Sequence, residues 1–342
     1  MQNQNNYLTD CDNNRESGFQ SIYAGDIFFL LLLVFFVFFL MDIGIRASGL
    51  GSYYYGHEQF QEMLDKAKME ERSPVRTRLG LWSTGIGYPL MAILFPIFFK
   101  LRTAQSVSTL GIHTSRITQS FSLAIKAVFL LIPTAYIVQL LTVKLLQITG
   151  FPEINDHPLV ELGSMHLAPF EWVLFFLSAV IGAAFLEEQL FRGLLQPWFL
   201  SRRANGATQA AMASVVITIL FQFKDLQKSC QLLWANNLIL ENPSDKAILL
   251  QALQPLLFCI AMAQIIHWVS QKESLKSHAT IAGTGLLFGM VHSFAWPSPV
   301  PLTLLGYGLG LVYMKSGNLL GPILVHSMFN AIAWCVLFYQ SS

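Results

Sequence analysis

The chain has 342 residues, 54% of them hydrophobic and only 12% charged, with a net charge of +1. Soluble globular domains carry about 25% charged residues, so half the usual charge is missing and a polytopic membrane protein is the class that fits. The absence of a basic block argues against nucleic acid as a partner. The four cysteines (Cys11, Cys230, Cys259, Cys335) are too scattered for a disulfide framework or a cysteine metal site and read as buried membrane thiols.

Residues 1–26 are polar and read as a disordered N-terminus. Ile27–Met41 is an unbroken apolar run between Asp26 and Asp42; extended through Ile45 it approaches the roughly 20 residues needed to span a bilayer. Residues 46–78 are charged. Within them Glu58–Arg72 has a helical pattern, with Glu62 and Lys66 in the favoured i,i+4 order for an amphipathic surface helix. A second span is expected over Leu79–Phe99, with Pro89 and Pro96 as kinks. A third lies between Lys126 and Lys144, whose ammonium groups can snorkel to opposite interfaces. Residues 151–168 hold no Lys or Arg, the mark of a non-cytoplasmic loop. His157 and His166 in that loop have no metal-ligand spacing and read as incidental.

The fourth span starts at Pro169 and ends in Glu187, Glu188 and Arg192, ahead of Pro197. A fifth, Ala207–Phe223, leads into a polar loop, Lys224–Asp245. A sixth covers Ala247–Val269, a seventh Thr280–Trp296, an eighth Leu302–Met314 and a ninth Leu319–Tyr339. Gly285 and Gly289 are four apart, as are Gly306 and Gly310, and such pairs let helix backbones approach closely. The fold expected is an all-α transmembrane bundle of about eight to ten spans. Its accessory part is residues 27–168, and its functional core is residues 169–342. Placing Arg192, Arg202 and Arg203 in the cytoplasm also puts Lys100, Arg102, Arg116, Lys272 and Lys276 there. The lysine-free loops 151–168 and 297–301 then fall outside, as does the segment 46–78 with its six Lys and Arg.

The strongly polar side chains within these spans cluster on three helices. An ionisable side chain in a membrane costs about 3 kcal/mol on insertion scales, so such groups are usually paired or used. Glu188 and Arg192 are i,i+4 and can pair, which makes them a strut. Glu187 is rotated about 100° from Glu188 and can point into the bundle as a general base. His326 and Asn330 are also i,i+4 and can aim two donors at one point, the geometry of an oxyanion-stabilising pair. His292 is placed deep in the seventh helix, on the face of Phe288. His267 is near a helix end and reads as interfacial.

Glu187-Glu188-x-x-x-Arg192, then Phe288-x-x-x-His292, then His326-x-x-x-Asn330 resembles the signature of the CAAX prenyl protease and bacteriocin-processing family, intramembrane endopeptidases of the type II CAAX prenyl endopeptidase kind. The resemblance covers about Pro169–Leu337, and Ser316–Asn330 is similar to the family's last motif in its flanks. It implies that Glu187 activates water and His292 assists it, that His326 and Asn330 stabilise the oxyanion, and that Glu188 and Arg192 support them. It further implies a membrane-associated peptide or protein substrate, within a multi-pass protein of a prokaryotic plasma membrane with its site toward the cytoplasm. The chain departs from a compact member in the long separation of Arg192 from His292, which predicts an extra hairpin or surface insertion.

Zinc on Glu187, His292 and His326 is an alternative to a metal-independent site, though no His-Glu-x-x-His is present and Asn is a rare zinc ligand. Two further readings stay open. One is a non-catalytic immunity or scaffold protein that binds a membrane peptide. The other is a proton-coupled transporter, for which inverted repeats would be expected.

Overall fold

A computed structural model describes residues 19–69, 74–114, 116–149, 162–163, 165, 167–202, 205–235 and 243–341. The described residues form helices: α1 (Ala24–Ala47), α2 (Leu50–Tyr55), α3 (His57–Met69), α4 (Pro74–Thr103), α5 (Ile117–Ile148), α6 (Pro169–Ser201), α7 (Gly206–Phe221), α8 (Phe223–Ala235), α9 (Pro243–Ser270), α10 (Lys276–Met290), α11 (Pro299–Ser316) and α12 (Leu320–Ser341). Short 3₁₀ turns join some of them. The expectations for residues 1–18 and for most of the loop 151–168, with His157 and His166, lie outside the described residues.

The all-α, membrane-spanning class is as expected, but the span count is lower. Among the described residues six helices are long and apolar enough to cross a membrane: α1, α4, α5, α6, the Ala252–Ser270 part of α9, and α12. The pair α7 and α8, bent by 66°, would make a seventh. The expected seventh and eighth spans are α10 and α11, of 15 and 18 residues. At 1.5 Å per residue α10 rises about 22 Å, short of a hydrocarbon core of about 30 Å, and α11 is less apolar, with three glycines, two prolines and Lys315. Their glycines and threonines serve packing rather than contact with lipid. The loop expected over Lys224–Asp245 instead begins with helix α8. Of the described cysteines, Cys259 is buried as expected, whereas Cys230 and Cys335 are exposed.

The chain divides into two compact units. One comprises Ser21–Phe121, Pro158–Leu194 and Gly317–Ser342. Here α4 packs against α1 and along the first half of α6, and α12 packs against the same part of α6. Leu81 and Trp82 from α4 meet Trp172, Leu174, Phe175 and Ala179 from α6, with Trp334 and Leu337 of α12 at the edge. Gly182 lets the backbones close up, since a Cβ there would lie 2.7 Å from the Pro89 ring.

α6 is started by its own sequence. Pro169 occupies its first turn, where a missing N–H costs nothing, and Glu171 reaches back to accept from Ala168 N at 2.8 Å. Two stretches are wound as π-helix, Phe176–Ala183 and Gln189–Leu195. Pro197 falls in the first turn of the segment after the second stretch, so it does not end the helix. The acids therefore sit within α6 and not at its end.

The other unit comprises Met1–Gln20, Ser122–His157 and Leu195–Ser316. In it α10 packs against α7, α9 and α11. The paired glycines act as expected: a Cβ on Gly285 would lie 2.7 Å from Tyr307 N, and one on Gly306 would lie 3.0 Å from Gly285 Cα. Between the first two motifs, the described helices α7 and α9 belong to this unit's core and are not a surface insertion. Ala207 and Ala211 of α7 and Cys259 and Ile266 of α9 share a core with Leu286 and Met290 of α10.

Candidate active site

Glu187 and Glu188 lie on the short α-helical stretch Ala184–Glu188 between the two π segments of α6. Glu188 is fully buried, and its Oε1 accepts from Arg192 at 3.0 Å, the i,i+4 pair expected from spacing. The same oxygen accepts from His326 Nδ1 of α12 at 2.8 Å. Spacing could not show this second bond, because the partners are 138 positions apart. Glu187 is 15% exposed, and its Oε2 lies 3.9 Å from His326 Nε2. One imidazole therefore stands between two carboxylates.

Glu188 settles the ring's tautomer. With Nδ1 donating to a carboxylate, a neutral His326 carries its lone pair on Nε2, facing Glu187. Two acceptors 3.9 Å apart form a seat for a group that donates to both, and water has two hydrogens to give. Glu187, Glu188 and the imidazole of His326 thus fall together in one unit.

Asn330 is placed one turn beyond His326, but its Nδ2 donates to Ala179 O in the first π segment at 2.7 Å. The two donors of the His-x-x-x-Asn pair therefore do not aim at a single point as the spacing suggested. A widened turn presents its carbonyls to side-chain donors, and Asn330 takes one. A primary amide has a second N–H, which remains for another acceptor.

The start of α12 is held by groups that the motifs did not flag. Asn318 Oδ1 accepts from Leu320 N at 2.8 Å, its Nδ2 donates to His113 O at 2.8 Å, and Leu319 N donates to Gly111 O at 3.0 Å. Asn two residues before a helix is a capping signal, so Asn318 was legible in principle. Its partners were not.

His292 belongs to the other unit. It was expected deep in a helix, but α10 ends at Met290 and a 3₁₀ turn covers Ser293–Ala295. Trp296, before Pro297, is extended, so the helix cannot run through to it as expected from the sequence. The ring still contacts Phe288 edge-on at 5.6 Å, and its Nδ1 donates to Phe288 O at 3.1 Å. This bond occupies a carbonyl of the last helical turn and puts the lone pair of the neutral ring on Nε2. His267 of α9 is exposed and bonded to Thr208 at 3.1 Å.

A hydrolytic zinc takes three protein ligands and a water. Within the acid-bearing unit Glu187 and His326 supply two facing donors, while Glu188 Oε1 is engaged by Arg192 and His326. Among the described residues no group of three or more His, Cys, Asp or Glu is arranged to hold a metal ion. Of the expected zinc ligands Glu187, His292 and His326, this unit itself holds two.

The family model described as type II CAAX prenyl endopeptidase Rce1-like matches residues 169–270 and 247–332, a range that includes every residue of the three motifs. No curated protein matches the chain, and no solved structure does.

Proposed function

The C-terminal half of this chain, matched over residues 169–332, belongs to the type II CAAX prenyl endopeptidase Rce1-like family, and on that premise we propose that the protein is an intramembrane endopeptidase cutting a peptide bond near the membrane interface. The observation that carries the proposal is the imidazole of His326 held between two carboxylates, bonded to Glu188 at 2.8 Å and facing Glu187 at 3.9 Å.

In this reading the substrate is a membrane-associated peptide or protein. A water seated between Glu187 Oε2 and His326 Nε2 attacks the scissile carbonyl carbon, and Glu187 takes its proton as the C–O bond forms. The carbonyl oxygen becomes an oxyanion, stabilised by the second N–H of Asn330, while His326, whose one N–H goes to Glu188, orients the water through Nε2. Glu187 returns the proton to the amide nitrogen as the C–N bond breaks, leaving an acid and an amine. Glu188, locked by Arg192, holds the imidazole in orientation. His292 enters from its motif, as the histidine that assists the base. In this reading the site faces the cytoplasm of a prokaryotic plasma membrane, an orientation supported by the basic residues Lys100, Arg102, Arg116, Arg202, Arg203, Lys272 and Lys276.

Purified protein, given membrane peptides in proteoliposomes, is expected to cleave them, and to continue in the presence of a chelator. Glu187→Ala and His292→Ala are each expected to abolish cleavage while leaving the protein folded and inserted. Turnover at the wild-type rate in both variants would overturn the mechanism. Activity lost to chelator and restored by zinc would overturn its metal-free form. A stable peptide complex with no product would point to a non-catalytic binder.

A further inference from the structure

Gln189 follows Glu188 directly, is 3% exposed and opens the second π segment of α6. Its Nε2 donates to the carbonyl of Ala92 on α4 at 2.9 Å. That carbonyl has a particular history. In an α-helix the carbonyl of residue i is taken by the N–H of residue i+4, and four residues after Ala92 stands Pro96, inside the helix. Proline has no N–H, so α4 carries a carbonyl with no partner of its own, a costly group in a membrane. Gln189 takes it.

The exchange serves both helices. α4 recovers the bond that Pro96 removed, and α6 gains a fixed point one residue from Glu188. The Oε1 of Gln189 is buried and has no hydrogen-bond partner among the described residues, so the bond to Ala92 is what holds the amide. Seven residues earlier on α6, Gly182 of the first π segment closes on Pro89, three residues before Ala92 on α4. Both wide segments of α6 thus meet a proline-broken stretch of α4.

We propose that Gln189 is a positioning residue for the acid pair: its bond to the carbonyl freed by Pro96 sets the rotation of Glu187 and Glu188 toward His326. The inference rests on the reading of Glu187 as the base. Without this fixed point the segment can exchange its wide turn for an α turn, which re-phases the residues on either side by one position, about 100° around the axis.

A mutant cycle tests it. Gln189→Leu removes the donor. Pro96→Ala returns an N–H to α4, so Ala92 O is satisfied within its helix and the bond from Gln189 is reduced to a weaker, second one. Each single variant is expected to lower kcat for peptide cleavage by about 10- to 100-fold with KM nearly unchanged, and to move the acid limb of the kcat–pH profile. The double variant should be no worse than Gln189→Leu alone, since all three break or weaken one bond. Loss of folded protein alone would scale the profile without moving it. A second readout needs no substrate: Gln189→Leu should lower the unfolding temperature in the wild-type background and by less in the Pro96→Ala background.

Equal drops in both backgrounds, or additive losses of kcat, would overturn the proposal. Coupling in unfolding temperature with an unmoved pH profile would reduce Gln189 to a structural bond and overturn its positioning role. Cleavage by Glu187→Ala at the wild-type rate would instead defeat the reading of the base, and the two failures are distinguishable.

Discussion

Glu187 and Glu188 are neighbours in the chain with unlike surroundings. Glu188 is wholly buried and joined to a guanidinium that is itself 2% exposed, whereas Glu187 keeps 15% of its surface. Removing one partner of a buried ion pair costs about 3–5 kcal/mol, because a charge is left in low dielectric. Glu188→Ala is therefore expected to destabilise the protein by about that amount, and Glu187→Ala to leave the unfolding temperature near wild type. Thermal unfolding in detergent measures both, and equal losses would contradict the division of labour. Spacing alone pairs Glu188 with Arg192, since four residues make one helical turn. The bond from His326 to Glu188 depends on how α12 packs against α6.

At the scale of elements, helix contact is set by where side chains are missing. A Cβ on Gly285 would meet Tyr307 N at 2.7 Å and Thr303 O at 3.0 Å, backbone atoms of α11 that cannot rotate aside. Gly285→Ala is expected to cost about 1–3 kcal/mol as an overpacked contact. Gly80→Ala on α4, with nothing within 4 Å of the added Cβ, should be neutral or slightly stabilising through helix propensity. Unfolding temperatures of the two variants provide the comparison, and a harmless Gly285→Ala would show that the helices can part. The glycine spacing of four in the sequence announced this contact. That the helix could not run to Trp296 was also within reach, because Pro297 follows it. The π segments of α6 left no such mark: a wide turn differs from an α turn by one residue of register, which apolar periodicity does not record.

On the scale of the molecule, long-range polar bonds fix the entry to α6. Arg78 grips Glu171 with two bonds, Nε to Oε1 at 2.7 Å and a terminal nitrogen to Oε2 at 2.6 Å. Tyr55 donates its hydroxyl to Glu171 Oε1 and accepts from Trp82 Nε1 at 2.9 Å. Burial, with the Glu171 carboxylate beside it, holds the Tyr55 phenol above its ordinary value. A group whose folded value is raised stabilises fully below its unfolded value and loses that contribution as pH climbs above it. The stability advantage of wild type over Tyr55→Phe should hold steady up to about pH 10, the ordinary tyrosine value, and shrink beyond it. Unfolding temperatures across that range give the answer, and a gap that widens above it would contradict the hydrogen bond.

From the sequence by itself come the helical membrane class, the order of the motifs and the pairing of Glu188 with Arg192. Hydropathy and turn spacing are local properties, written within about 20 residues of chain. Tertiary structure decided that His326 sits between two carboxylates, that Asn330 spends a donor on Ala179, that His292 caps a helix instead of lying inside one, and that Gln189 answers Pro96. Each of these depends on which helices lie side by side and in what register. A buried polar group must find a partner wherever packing puts one, and no local pattern names that partner in advance.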